Sequence, residues 1–220
     1  MQGHTRKLCV LAMMSALAFL LAAYARISIV PAVSFLRYDP KDIIIVIAGF
    51  IFGPLAAFVV AVVVAAMQWF TGVSITGHIG FLMNVISSTA FCCTAAFIYK
   101  KKRTFKGALL GLIVGGLFAT AVMMLWNYIV TPWFMDVPRE VVVSLLLPGF
   151  LPFNLINNGV NIILAMLLYK RVKGMLQASG MMPRAEGSDG SGVSKAGVIV
   201  SVLFIVLTIA LWALILLGVI

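Results

Sequence analysis

Carboxylates are nearly absent from this chain: six Asp and Glu stand against 16 Lys and Arg, and charged residues of both signs reach only 10%. Soluble domains carry roughly 25% charged residues, because a folded surface must be hydrated. With hydrophobic residues at 63%, a water-soluble fold could not cover its apolar side chains. The three cysteines, Cys9, Cys92 and Cys93, show no CxxC-type spacing and lie in apolar runs. Neither a disulfide framework nor a zinc site is expected from them. The GxxxxGK[ST] phosphate loop is missing, which excludes ATP hydrolysis by that route, and so are HExxH and GxSxG. The acids all fall in loops or at helix boundaries, so no intramembrane carboxylate pair is expected to drive proton or metal coupling.

Long apolar runs dominate what is present. They read as Leu8–Val30, Ile43–Phe70, His78–Tyr99, Gly107–Val130, Leu147–Tyr169 and Gly197–Ile220. Several exceed the ~20 residues that a helix needs to cross ~30 Å of hydrocarbon. Arg6-Lys7 ahead of Leu8–Ala25 resembles a signal peptide, but the apolar stretch continues to Val33 with a break only at Arg26. A retained first helix is the better reading.

The charges then orient the chain. Arg6-Lys7, Lys100–Arg103 with Lys106, and Lys170-Arg171 with Lys173 should all be cytoplasmic. Residues 8–99 must therefore cross an even number of times, whereas three runs are counted there. Ile43–Phe70 is long for one helix and is interrupted by Gly53-Pro54, a bend-permitting residue beside one that removes a backbone donor. Splitting it into Asp42–Phe52 and Leu55–Phe70 repairs the parity. The first piece is too short to span upright and is expected to sit buried among the others.

The expected architecture is all-α and polytopic, with the amino terminus cytoplasmic. A six-helix core occupies residues 1–173, a flexible cytoplasmic linker residues 174–196, and an appended seventh transmembrane helix residues 197–220. Arg26, Arg37, Lys41 and Arg139 fall outside against Asp39, Asp42, Asp136 and Glu140, so the whole net charge of +10 lies on the cytoplasmic face. That asymmetry accounts for the basic balance without nucleic acid.

Amides inside the spans carry the functional signal, because an amide in hydrocarbon needs a partner. Gln68, Asn84, Asn127, Asn154, Asn157, Asn158 and Asn161 gather toward the outer half of the membrane, with His78 at the start of its span. At ~100° per residue the last four asparagines share an arc of about 100° on one helix. Interhelical hydrogen bonding accounts for some of them, and at least two are expected to face a ligand. Small-residue stripes form the second pattern: Gly107, Gly111 and Gly115 on one helix, and Ala12, Ala16 with Ala18, Ala22 on the first. Each suits internal packing, and an exposed stripe on the first helix would be a docking face.

Several motifs resemble a known family. Leu36-Arg37-Tyr38-Asp39-Pro40-Lys41-Asp42, the following Ala48-Gly49-Phe50-Ile51-Phe52-Gly53-Pro54-Leu55-Ala56, Trp126-Asn127-Tyr128 and Leu151-Pro152-Phe153-Asn154-Leu155-Ile156 resemble, in order and spacing, the riboflavin-specific S components (RibU type) of energy-coupling-factor (ECF) transporters. The likeness covers roughly residues 7–173. It implies a six-helix core that captures vitamin from outside beneath the loop Pro31–Lys41. It also implies a separate transmembrane coupling protein and two cytoplasmic ATPases as partners, with docking through Ala12 and Ala16.

Riboflavin would be the transported ligand and no cofactor would be needed. Asn127 and Asn154 would hold the flavin ring, with Asn157, Asn84, Gln68 and Tyr38 beside them. The family often has lysine where this chain has Asn157. A related S component for another vitamin or flavin, and a non-transporting membrane scaffold subunit, are the alternative readings.

Overall fold

The computed structural model describes residues 2–28 and 37–178. Residues 174–178 of the expected linker are helical instead, continuing the last described helix; the rest of the linker and the expected seventh helix lie outside the described residues. Among the described residues, eight α-helical segments, two π-helical turns and a two-residue ladder follow one another. They are α1 (Gln2–Tyr24), β1 (Ile27–Ser28), β2 (Arg37–Tyr38), α2 (Lys41–Phe52), α3 (Pro54–Phe70), α4 (Gly77–Ser88), α5 (Thr94–Lys101), α6 (Phe105–Met135), α7 (Arg139–Leu145) and α8 (Leu151–Ala178). A π-helical turn at Thr89–Cys93 joins α4 to α5, and another at Leu146–Phe150 joins α7 to α8. Four of the resulting rods are long and apolar enough to cross a membrane: His4–Tyr24, Gly77–Lys101, Phe105–Met135 and Arg139–Tyr169. The protein is an all-α membrane protein.

The break at Gly53-Pro54 separates α2 from α3. Gly53 closes α2 at φ 95°, where an L side chain is strained, and Pro54 then occupies the first position of α3. With 12 residues, α2 is only ~18 Å long, and every residue from Lys41 to Phe50 is buried. A helix apolar all round can be stable only inside other helices. It packs against α1, α3, α5 and α8.

Several boundaries differ from the sequence-based expectation, among them the end of α8, which runs on to Ala178 rather than Tyr169. The first helix stops at Tyr24 rather than Val30, because Arg26 is drawn to the Val73 carbonyl at 2.7 Å and Asp39 at 3.0 Å. That turns the chain into β1, which pairs antiparallel with β2 in the register Ile27↔Tyr38 and Ser28↔Arg37. α6 is longer than Gly107–Val130, since Thr104 caps it by accepting the Gly107 amide at 3.0 Å. The last rod begins at Arg139 rather than Leu147, its π turn absorbing Pro148 and Gly149.

The glycine stripe sets the closest helix approach. A Cβ at Gly111 would lie 2.6 Å from the Ala95 carbonyl oxygen, and one at Gly115 would lie 2.5 Å from that of Phe91. α6 therefore lies directly on the backbone of α5 and its π turn. The two alanine stripes on α1 part company: Ala18 and Ala22 are fully buried in the bundle, whereas Ala12 and Ala16 are exposed.

Candidate functional site

A cleft enclosing about 60 Å³ opens where α2 begins, between α4, α6 and α8. One wall is ionic, formed by Asp39, Lys41 and Asp42 with Asn84 and Ser87. The other carries the amides Asn127, Asn154 and Asn157. Met83, Met123 and Phe153 supply the apolar surface between them, and Arg37 stands among the lining residues. Of the residues expected at the site, Asn84, Asn127, Asn154 and Asn157 thus come together. Gln68 and Tyr38 do not line the cleft: Gln68 braces Asp39, which does, whereas Tyr38 bonds Asn161 outside it.

The ionic wall departs from the sequence reading. Asp39, Lys41 and Asp42 were expected among exterior charges, yet Lys41 and Asp42 are each only 3% exposed and Asp39 is 8% exposed. Isolated charges could not be buried so deeply; these are compensated. Asp39 Oδ2 accepts from Arg26 Nη2 at 3.0 Å, Lys41 Nζ at 3.1 Å and Gln68 Nε2 at 2.9 Å. Its Oδ1 takes the Lys41 backbone N–H at 3.2 Å.

Lys41 Nζ also donates to Asn84 Oδ1 at 3.1 Å and lies 3.9 Å from Asp42 Oδ1. Asp42 in turn accepts the Ser88 hydroxyl. Arg26 and Lys41 balance Asp39 and Asp42, leaving the wall neutral. Burial would raise the Asp39 carboxyl, but Lys41 and Arg26, with the Gln68 hydrogen bond, hold it below the usual carboxylate range. Asp42 sits in the first turn of α2, where the helix dipole favours a carboxylate.

The amide wall divides the asparagine face of α8. Asn154 lines the cleft and its Nδ2 donates to the Phe150 carbonyl at 2.7 Å, while its Oδ1 accepts from no described residue. Asn157 makes no hydrogen bond to a described residue and lines the cleft. Asn158 instead bridges to α6, donating to the Gly116 carbonyl and to Thr120 Oγ1, both at 3.1 Å.

Asn161 accepts the Tyr38 hydroxyl at 3.1 Å, so Tyr38 ties β2 to α8. On α6, Asn127 donates to the Met123 carbonyl at 2.8 Å and accepts from Thr131 at 2.9 Å. These contacts fix its plane while leaving one N–H and one lone pair uncommitted.

Sequence reasoning missed Lys41 and the two aspartates as cleft residues. Their signal was Asp-Pro-Lys-Asp immediately ahead of an uninterrupted apolar helix, since a helix buried on every side carries its first turn inward with it.

Comparison with known proteins matches this arrangement to one family. Residues 6–169 fit the family described as ECF transporter, substrate-specific component. "Riboflavin transporter RibU" of Staphylococcus aureus (strain TCH60) is 31% identical over 181 residues, covering 79% of this chain and 94% of its own length. "Riboflavin transporter FmnP" of Bacillus subtilis (strain 168) is 29% identical over 176 residues, covering 76% of this chain and 92% of its own. The solved structure described under "Structure and mechanism of the S component of a bacterial ECF transporter" superposes with a TM-score of 0.68 at 30% identity, covering 79% of this chain and 99% of that one. By family match, fold and the extent of both alignments, this chain belongs to the substrate-specific (S) components of ECF transporters.

Proposed function

We propose that this chain captures riboflavin from outside the cell and delivers it to an ECF module for ATP-driven uptake. The observation that carries the reading is the cleft's amide wall, Asn127, Asn154 and Asn157, with Met83, Met123 and Phe153 as apolar lining beside it. A flavin ring is an apolar plate with one polar edge of alternating acceptors and a donor. Asparagine offers both C=O and NH₂, so it can match that edge without burying a further charge. The names of the relatives from Staphylococcus aureus and Bacillus subtilis support the same ligand.

In this reading the first six membrane helices form the binding core and residues 197–220 add a seventh. The amino terminus and the basic clusters face the cytoplasm. The chain has no nucleotide loop of its own, so a transmembrane coupling protein and two ATPases supply the energy, docking on the exposed Ala12–Ala16 face of α1. The decisive experiment is purification after growth with riboflavin, followed by titration. Yellow protein that quenches flavin fluorescence stoichiometrically is expected; colourless protein that leaves the fluorescence unchanged would overturn the assignment.

A further inference from the structure

The opposite end of the bundle holds a larger cavity. It encloses about 200 Å³, and its lining includes Phe52, Gly53, Leu55, Tyr99, Lys100 and Arg103. A water molecule takes about 30 Å³, so the space admits a phosphoester group with room to spare. α2 ends and α3 begins here, so their dipoles oppose one another at the cavity; in the first turn of α3, Pro54 has no N–H and Ala56 and Ala57 donate to the Gly53 carbonyl, which leaves the Leu55 N–H. Lys100 and Arg103 contribute two cations, and Lys7 Nζ lies 5.8 Å from the centre of the Phe52 ring at the same end.

Among the described residues Lys100 and Arg103 have no carboxylate partner, because Asp39, Asp42, Asp136 and Glu140 all belong to the far end. Neither cation hydrogen-bonds the carbonyls that close α2. Leading away from the cavity, α3 exposes Leu55 and Phe58.

We propose that this cavity binds the phosphate headgroup of an anionic phospholipid, whose acyl chain lies along Leu55 and Phe58. The phosphate is held by Lys100 and Arg103, with the Leu55 N–H beside them. A site with anion-binding groups at its mouth and an apolar track below suits a molecule that is charged at one end and apolar at the other. The depth is right as well: the basic end of the bundle falls in the headgroup layer of the cytoplasmic leaflet. The proposal rests on that orientation and not on the flavin cleft, which lies at the other end of the bundle.

Native mass spectrometry of the full-length protein, titrated in parallel with phosphatidylglycerol and phosphatidylcholine, tests it. Retention of one phosphatidylglycerol with at least tenfold preference over phosphatidylcholine is expected. The Lys100→Gln/Arg103→Gln double variant should lose that preference. Lys106→Gln/Arg171→Gln, which removes the same charge from the same end but outside the cavity, should keep it.

Equal retention of the two lipids, or a preference that survives Lys100→Gln/Arg103→Gln, overturns the proposal. Glycerol 3-phosphate forms the second arm. If it binds at this site while phosphatidylglycerol is not retained, the pocket belongs to a soluble phosphoester and the lipid assignment is wrong. Flavin titration of the same variants should be unchanged, which separates failure here from failure of the riboflavin reading.

Discussion

Asn154 and Asn127 are held by their own helices, so each presents a defined edge to the cleft. In the proposed binding mode, truncating either to Ala removes a ligand hydrogen bond and leaves a ligand atom unpaired, at about 1–3 kcal/mol each. Riboflavin affinity should therefore fall roughly tenfold to a hundredfold in either variant. Asn157 is neutral and makes no hydrogen bond to a described residue, so Asn157→Ala orphans no protein group. It should weaken binding by less than Asn154→Ala, and fluorescence-quench titration of the three variants gives the order. Unchanged affinity in both Asn127→Ala and Asn154→Ala would place the site elsewhere.

Lys41 behaves differently because it is one of two cations balancing two buried carboxylates. Lys41→Met strands a negative charge, and losing one partner of a buried pair costs about 3–5 kcal/mol. Adding Asp42→Asn restores neutrality, so the double variant should be more stable than Lys41→Met alone. Thermal unfolding in detergent reads the difference.

Helix contacts follow from small residues at fixed spacing. Gly111 and Gly115 bring α6 onto the carbonyls of Ala95 and Phe91, and nothing but hydrogen fits between them. Gly111→Val forces backbone apart from backbone, with an overpacking cost of about 1–3 kcal/mol or more. Its melting temperature should drop clearly, while Leu117→Val, on an exposed position of the same helix, should leave it nearly unchanged.

A second cluster ties the basic end together. The Tyr99 and Tyr169 hydroxyls meet at 2.9 Å, and Phe50 lies 4.5 Å from Tyr99 between ring centres. α2, α5 and α8 are thereby joined at the end opposite the cleft, so the short α2 is anchored at both of its ends: by ions at one, by aromatic packing at the other.

For the molecule as a whole, the exposed alanine face of α1 and the orientation of the bundle are the features that reach beyond this chain. Ala16→Trp puts bulk on an exposed face without entering the core. Uptake in cells that carry the coupling module should fall, while riboflavin binding by purified protein stays intact. Full uptake in a host without any coupling module would contradict the partnership. A reporter fused after Lys173 should be cytoplasmic and one after Ile220 external; two cytoplasmic readings would remove the seventh span.

The amino-acid sequence by itself determined the membrane environment, the Gly53-Pro54 break and the shared face of the α8 asparagines. These are local properties: hydropathy over a window, the φ that glycine permits, and 100° per residue all act between near neighbours. It also brought out the family resemblance, because motif order is written along the chain.

Only the tertiary structure decided which polar groups meet. Whether Asp39, Lys41 and Asp42 are exposed or buried depends on Arg26, Gln68, Asn84 and Ser88, which arrive from other elements across separations of 13 to 46 residues. The same holds for the asparagines: Asn158 turns to α6 and Asn161 to Tyr38, while Asn154 and Asn157 are left facing the cleft. A buried charge or amide is tolerated only where its partners converge, and convergence is a property of helix packing rather than of any one segment.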